Sequence, residues 1–434
     1  MGNVERMVKC NKLVCALTDL YRLWGLKIVI RGASMNRRSV GKERLRLLRD
    51  AMNKQDVEII VLTDRESKIW LTGADGALAV LVSSDLGDRV ACYVDSINIP
   101  WFKEGNWLDA QVYERKFMKE TVISLWKEKR ALSSQWELNV RELQNIMRLE
   151  YGKKRNVAID SLPWNGVLEW LKAFPNHPLS DAAPLFWHVA SVKDNYELKR
   201  STLAAEISVK MMQAGLDVLK NGIDETSVEK QMTKVGSELV DEAESNLASL
   251  YPAVHFEDNK AEAIVNFGRK TSYAHGAPGK GKLKENDVVR LIALGNVDHY
   301  WSEFELTIAF GKPLKEVMKW LELKRQILKM SIEACRAGEP IFEAHRKART
   351  FLDSEGFWDG APIGHGLGLK FHELPFIDRP IESELSNTTF QDNQVFAVEP
   401  DFYIPDKWGF RDSAMLTIRN QEPKVLADPT IFES

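Results

Sequence analysis

The chain has 434 residues, of which 44% are hydrophobic and 28% are charged. That length allows a large core and predicts more than one domain. The net charge of −3, with both signs mixed, excludes the basic surface of a general nucleic-acid or membrane binder. The four cysteines fit a reducing compartment, and the apolar stretch from Leu13 to Ile30 is too charged to span a bilayer. We therefore expect a cytoplasmic protein that binds neither nucleic acid nor membrane.

The first part of the chain predicts an extension followed by a small domain. Residues 1–40 form the extension, and residues 41–190 form an α/β domain with a mixed sheet. An amphipathic helix is predicted from Glu43 to Gln55. Runs rich in β-branched and other apolar residues predict strands at 57–63, 69–72, 77–83, 90–95 and 157–160. Two more helices are predicted at 114–126 and 138–149.

The second part, residues 191–434, predicts a domain in which a helix pair and a set of strands occur twice. The predicted helices are 197–219, 226–242, 314–336 and 341–355. The predicted strands are 263–268, 288–295, 304–311, 395–399 and 414–418. This order indicates an internal duplication, although no residue-level repeat is visible.

Three of the eight histidines stand in or beside glycine-rich stretches next to predicted strands. His275 lies in a predicted turn, His365 lies in Gly364-His-Gly-Leu-Gly-Leu369, and His372 follows seven residues after His365. Glycines at such positions let the backbone approach a ligand closely. One such histidine is more often a hydrogen-bonded structural residue, but three together favour a functional site.

Two glutamates interrupt apolar strand runs. Glu303 lies between Trp301 and Phe304, and Glu399 ends the run that begins at Val395. A buried carboxylate is costly unless it is paired, hydrogen-bonded or bound to metal. An edge position that reaches solvent would explain either glutamate alone. Together with the three histidines, the two glutamates indicate a hydrolase or lyase site.

Several stretches, in order along the chain, resemble the signature segments of the creatinase, prolidase and aminopeptidase P family. They are Arg44-Leu-Arg-Leu-Leu to Trp70-Leu-Thr-Gly73, Lys193-Asp-Asn-Tyr-Glu-Leu-Lys-Arg200, Asn286-Asp-Val-Val, the glycine-rich stretch around His365, His372-Glu-Leu-Pro375 and Val398-Glu-Pro400. The resemblance implies an α+β fold, with a pita-bread (creatinase/aminopeptidase) catalytic domain behind a smaller α/β N-terminal creatinase-like domain. It also implies a homodimer and a small-molecule substrate.

Metallopeptidases of this family hold two metal ions with two Asp, one His and two Glu. By resemblance, those ligands fall at Ala293, Glu303, His365, Glu399 and Arg411. If the last position shifts by one residue, Asp412 takes the place of Arg411. An arginine about 4 Å from a divalent ion is repelled by roughly 8 kcal/mol at an effective dielectric constant of 20. We therefore predict no two-metal centre and no cofactor. A single ion at the remaining glutamates and histidine stays open as an alternative.

Creatinase, a member of this family, hydrolyses a C–N bond without metal, and its key residues resemble His275, Glu303, His365 and Glu399. By that resemblance, His275 shuttles a proton between water and the leaving nitrogen, because imidazole titrates near neutrality. Glu303 and Glu399 hold a cationic group of the substrate. His365 and His372 orient or polarise the reacting group.

Two departures from creatinase argue against creatine as the substrate. No arginine stands in Gly73–Leu78, and Phe376 stands where the catalytic-domain arginine is expected. Arg411 either contacts a substrate anion or neutralises the glutamates. The predicted substrate contacts are Arg411, Glu303, Glu399 and Phe376.

The sequence thus predicts a metal-independent hydrolase of a C–N bond in a small nitrogenous substrate. Two alternatives stay open. One is an Xaa-Pro dipeptidase or aminopeptidase with an atypical metal site. The other is a non-catalytic binding protein on the pita-bread fold.

Overall fold

The structure is a computed structural model that describes residues 36–85, 89–115, 135–152, 156–173, 175, 179–248, 261–357, 361–379 and 388–432. Residues 1–35 of the predicted extension lie outside this set, as does the predicted helix from residue 116 onward. Its first two positions, Glu114 and Arg115, end a strand instead.

Residues 36–190 contain one mixed sheet with helices around it. The helices are α1 (Arg37–Lys54), α2 (Arg65–Thr72), α3 (Ile99–Gly105), α4 (Gln135–Tyr151), α5 (Trp164–Ala173) and α6 (Ala183–Ala190). The strands are β1 (Ile59–Leu62), β2 (Ala77–Ser83), β3 (Arg89–Asp95), β4 (Asp109–Arg115), β5 (Val157–Ile159) and β6 (Leu179–Asp181). The strand order is β4-β3-β2-β1-β5-β6, with β2 antiparallel to both of its neighbours. All four residues of β1 are buried, because helices cover both faces of the sheet.

The predicted strand at residues 69–72 is wrong, because these residues end helix α2. Asp64 precedes the helix in extended conformation, and Gly73 ends it with a left-handed φ of 70°. A Cβ on Gly73 would also overlap the ring of Trp107, so only glycine fits there. Trp70 and Leu71 are apolar because the helix is buried, and four apolar or β-branched residues do not separate a buried helix from a strand.

Residues 191–432 contain the second set of elements. The helices are α7 (Asn195–Val218), α8 (Glu225–Ala248), α9 (Lys315–Ala334) and α10 (Ile341–Ser354). The strands are β7 (Ala261–Phe267), β8 (Val288–Val297), β9 (Tyr300–Ala309), β10 (Gly364–Gly366), β11 (Glu373–Phe376), β12 (Val395–Val398), β13 (Asp401–Ile404), β14 (Trp408–Arg411), β15 (Ala414–Arg419) and β16 (Glu422–Ala427). None of the helices in the described ranges is both long and apolar enough to cross a membrane.

The helix pair and strand set occur twice, as predicted. Helices α7 and α8 pack on the antiparallel sheet β7-β8-β9. Helices α9 and α10 share a core with strands of the antiparallel sheet β11-β10-β12-β15-β16. Strands β9 and β15 also contact each other, which joins the two sheets and brings their side chains together.

The two parts of the chain are joined by buried ion pairs. Arg44 of α1 lies 2.8 Å from Asp194 and 3.5 Å from Glu197, the residues that cap the start of α7. Its guanidinium also stacks 5.2 Å from the ring of Trp70. The predicted boundary near residue 190 lies just before this capping box.

Candidate active site

The site begins on the β8–β9 hairpin, which turns through Asp298 and His299. Both turn residues have positive φ, of 51° and 71°, as a tight two-residue hairpin turn requires. Because strand side chains alternate between faces, Glu303 and Glu305 of β9 point to the same side. Both are buried, at 3% and 0% exposure.

Strand β8 offers only aliphatic residues opposite these glutamates. Ile292 pairs with Glu305, and Leu294 pairs with Glu303. Ala293, predicted to replace the first family ligand, lies on the other face of β8, whose residues Leu291 and Gly295 lie against α7. Ala293 therefore does not face the glutamates, as the prediction required. The β8 residues that do face them, Ile292 and Leu294, are also not carboxylates.

His365 lies on β10 between β11 and β12 and is 2% exposed. Its Nε2 lies 3.0 Å from Glu303 and 3.4 Å from Glu399, while its Nδ1 lies 3.0 Å from the carbonyl oxygen of Gly366. A carbonyl only accepts, and two carboxylates favour a donor, so both ring nitrogens carry hydrogen. Burial would lower the pKa of His365, but the hydrogen bonds to both glutamates raise it to about 10. His365 is therefore an imidazolium at neutral pH.

The glycines around His365 allow neighbouring strands and the Glu373 carboxylate to approach the backbone closely. A Cβ on Gly364 would lie 2.4 Å from the carbonyl oxygen of Ala397, and one on Gly366 would lie 3.0 Å from that of Glu373. A Cβ on Gly368 would lie 2.5 Å from the Glu373 carboxylate. We predicted that these glycines make room for a ligand. In the structure they instead make room for neighbouring strands and for the Glu373 carboxylate.

Arg411 ends β14 and binds two carboxylates. Its Nε and Nη2 donate to the two oxygens of Glu305, the second at 2.5 Å, and its Nη1 lies 3.2 Å from Glu399. Such a two-pronged contact is the strongest form of arginine–carboxylate pairing. Burial opposes ionisation of Glu399, but Arg411 and His365 lower the pKa of its carboxyl to about 2. This arrangement favours the prediction that Arg411 neutralises glutamates, with Glu305 as its first partner.

Asp412 faces away from this cluster. Its carboxylate lies 2.6 Å from the buried ammonium of Lys324 and accepts from the backbone N–H of Thr307 at 2.7 Å. These bonds hold β14 and β15 against β9 and so fix Arg411 beside Glu305. Asp412 is therefore part of the framework.

His372 and two phenylalanines form the open side of the site. The rings of His365 and His372 are centred 4.3 Å apart, and Phe371 and Phe376 lie 4.6 and 6.4 Å from His372. Burial and the positive charge of His365 lower the pKa of His372, so that its imidazole is neutral near pH 7. Phe376, predicted as a substrate contact, is 39% exposed beside it.

His275 lies in an exposed turn after β7, as its sequence context predicted. Arg290, which lies on the same face of the sheet as Glu305, donates to the backbone carbonyls of Tyr273 and Ala274, so the turn is held on that side of the sheet. The structure therefore gathers Glu303, His365, Glu399, Arg411, His372 and Phe376, with His275 at the edge.

Two features of the site were not predicted. Glu305 was missed, although Glu303-Phe-Glu305 has the spacing that puts two carboxylates on one face of a strand. The second feature is a buried ion pair of Lys193 with Glu373, at 2.5 Å, which anchors the segment carrying His372. Lys193 lies 180 residues before Glu373, so no local spacing could have indicated this pair.

The site residues do not fit a pair of divalent ions. Glu303, Glu305 and Glu399 bring three negative charges, and Arg411 and His365 already balance two of them. Arg411 occupies both oxygens of Glu305, and at about 4 Å it would repel a divalent ion by roughly 8 kcal/mol at an effective dielectric constant of 20. For a single ion, ligand atoms of Glu303, His365 and Glu399 lie within 4.8 Å of one another. Such an ion would have to remove the hydrogen on His365 Nε2 and share Glu399 with Arg411.

The elements and the site define a chain of the pita-bread class, and comparison with known proteins gives the family. The sequence profile of metallopeptidase family M24 matches residues 200–420, just over half of the chain. The chain belongs to metallopeptidase family M24. An uncharacterized peptidase of Staphylococcus aureus strain MW2 is 27% identical over 239 residues, which are 54% of this chain and 62% of that protein. The chain thus matches under two thirds of the length of this curated relative.

Solved structures share the fold over nearly the whole chain. A prolidase from Pyrococcus horikoshii OT3 matches with a TM-score of 0.70 and 19% identity, over 89% of this chain and 98% of its own. An Xaa-Pro dipeptidase from Bacillus anthracis matches with a TM-score of 0.71 and 18% identity, over 89% of this chain and 98% of its own. The N-terminal domain of the FACT complex subunit SPT16 from chickpea matches with a TM-score of 0.67 and 13% identity, over 90% of this chain and 97% of its own. These likenesses confirm the predicted fold, and at such identities they define the fold alone.

Proposed function

We propose that the chain hydrolyses the amide C–N bond of short peptides at a site whose own cations balance the carboxylates. The observation that carries this proposal is Arg411, bound through two nitrogens to Glu305 and 3.2 Å from Glu399. Short peptides replace the predicted small nitrogenous molecule as the first substrate class, because M24 is a peptidase family. Metal-independent chemistry is retained from the sequence prediction.

His372 is the acid–base group of this proposal. It is neutral, reachable from solvent, and its ring is centred 4.3 Å from the His365 imidazolium. The oxygen of a water molecule bonds to the amide carbon while His372 accepts a proton from that water. The positive charges of His365 and Arg411 stabilise the oxyanion. The C–N bond then breaks as His275 donates a proton to the leaving nitrogen. The proton that His372 took from the water replaces the one lost by His275.

Glu303 and Glu399 take a different role from the predicted one. Both already contact His365, and Glu399 also contacts Arg411, so their charges are met within the chain. Their task is to keep His365 protonated and Arg411 in place. The exposed Phe376 and its neighbour Phe371 offer an apolar wall for a substrate side chain.

The test is turnover of a panel of dipeptides and tripeptides, Xaa-Pro dipeptides included, by the purified full chain. We expect cleavage to be unchanged after dialysis against a chelator and to fall about 100-fold or more in H372A. His188, exposed on α6, supplies the matched control, and H188A should behave as the wild type. Equal activity in H372A and H188A would refute the role of His372.

A second candidate is an Xaa-Pro dipeptidase with one metal ion at Glu303, His365 and Glu399. Its support is the cluster of ligand atoms within 4.8 Å and the prolidase-like fold neighbours. One equivalent of bound metal, with activity lost on chelation and restored by Mn²⁺ or Zn²⁺, would favour it. If no peptide is cleaved under either condition, the non-catalytic alternative gains support.

A further inference from the structure

Arg290 of β8 is a fully buried cation next to the site that the proposed reaction does not use. Its exposed fraction is 0%. Across the three-stranded sheet it pairs with Asn266 of β7 on one side and Thr307 of β9 on the other. Because residues paired across a sheet point to the same face, Arg290 lies on the face that carries Glu305.

The hydrogen bonds of Arg290 converge on the turn that carries His275. Its Nη2 donates to the carbonyl oxygens of Tyr273 at 2.7 Å and Ala274 at 3.1 Å, and to the side-chain oxygen of Asn266 at 2.9 Å. Asn266 in turn donates from Nδ2 to the carbonyl oxygen of Gly276 at 2.7 Å. Two buried side chains thus hold three of the four carbonyls of residues 273–276, here called the His275 turn.

Burial of a guanidinium is costly, and neutral carbonyls compensate it less well than a carboxylate does. Within the described part of the chain, Arg290 has no carboxylate at ion-pair distance, and its Nε and Nη1 have no hydrogen-bond partner. The hydrogen bonds of Arg290 therefore go to the turn and to Asn266, while Glu305 on the same face favours its positive charge from a longer distance. Holding that turn fixes the backbone position of exposed His275 on this side of the sheet.

We propose that Arg290, with Asn266, is a positioning residue that fixes the His275 turn against the active site. This inference rests on the proposed hydrolase function. Arg290 itself touches no reacting atom, and its effect passes through His275.

Hydrogen–deuterium exchange of the full chain tests the positioning without any substrate. The amide of Gly276 donates to Tyr273 within the turn at 3.3 Å, and the amide of Tyr273 donates to Lys270 just before the turn at 3.2 Å, so loosening the turn speeds their exchange. We expect peptides covering 269–280 to exchange at least 10-fold faster in R290M. Arg349 supplies the control, because it is also buried, at 4% exposure, and donates to the backbone carbonyls of Ala361, Pro362 and Asp401, which lie outside this turn. R349M should leave exchange in the turn unchanged.

Kinetics on a cleaved peptide test the consequence. R290M should lower kcat/KM by about 10- to 100-fold, the cost expected for a misplaced catalytic group. H275A should give a similar loss, and R290M/H275A no further loss. R290K keeps the positive charge but loses the planar guanidinium, so its kcat/KM should lie between those of the wild type and R290M. It also replaces R290M as the test variant if R290M does not fold. Unchanged exchange in both Arg290 variants, or additive kinetic losses, would overturn the inference. Faster exchange without any detectable turnover would refute the proposed function and leave the positioning intact.

Discussion

Replacement of Arg411 by glutamate should raise the affinity of this chain for divalent ions. In the wild type, the guanidinium contacts Glu305 and Glu399 and occupies the centre of the carboxylate cluster. In R411E, four carboxylates and His365 would face one another in a buried space. Four carboxylates and a histidine are a donor set that hard divalent ions accept.

The size of the effect follows from the charges. At about 4 Å and an effective dielectric constant of 20, a divalent ion is repelled by an arginine by roughly 8 kcal/mol and attracted to a carboxylate by the same amount. Desolvation of the ion and deprotonation of His365 oppose this gain. We therefore expect only part of it, a tightening for Mn²⁺ of at least about 100-fold, which corresponds to about 2.8 kcal/mol.

Isothermal titration calorimetry and thermal unfolding measure this change. Without metal, R411E should unfold at a lower temperature than the wild type, because four buried carboxylates would face only the His365 imidazolium, and Mn²⁺ should restore much of the loss. R411M separates the two contributions, since it removes the positive charge without adding a ligand, and should gain less. Tight binding of two equivalents by the wild type, or equal Mn²⁺ affinity in wild type, R411M and R411E, would refute the reasoning.

Three further substitutions test the framework, each by urea unfolding. Lys193→Met leaves the Glu373 carboxylate buried without its partner and should cost about 3 to 5 kcal/mol. Gly364→Ala places a Cβ 2.4 Å from a carbonyl oxygen of the adjacent strand and should cost about 1 to 3 kcal/mol. Arg44→Met removes the buried ion pairs between α1 and α7 and should lower stability clearly. Arg46→Met, an exposed arginine on the same helix, should change it little, and equal effects of these two would contradict the assigned role of Arg44.

Much of the fold was predictable because its signals are local. The long helices α7 and α9 each show a 3.6-residue apolar pattern, and prediction and structure agree to within two residues at each end. Short buried segments carry less information. Residues 69–72 are all buried in helix α2, just as they would be in a central strand, and only the left-handed Gly73 marks the helix end.

The candidate site was predicted as a set of residues rather than as a set of contacts. His365 and Glu399 were identified from their sequence context, and the structure places them 3.4 Å apart. The partner of Arg411 was not predictable, because Glu305 lies 106 residues before it and the pairing depends on how β9 meets β14. Ala293 was misplaced for a related reason, since the face that a residue takes on a strand is set by the register of the hairpin.

Charge balance explains why a carboxylate-poor β8 and a cation at position 411 occur together. Glu303, Glu305 and Glu399 are met by His365 and Arg411, with Arg290 buried on the same face of the sheet. A further carboxylate at Ile292 would lie beside Glu305 without a counter-cation, and a buried unpaired charge costs several kcal/mol. Conversely, with Arg411 absent and β8 unchanged, three buried carboxylates would face one imidazolium. Each of the two features is therefore tolerable mainly in the presence of the other.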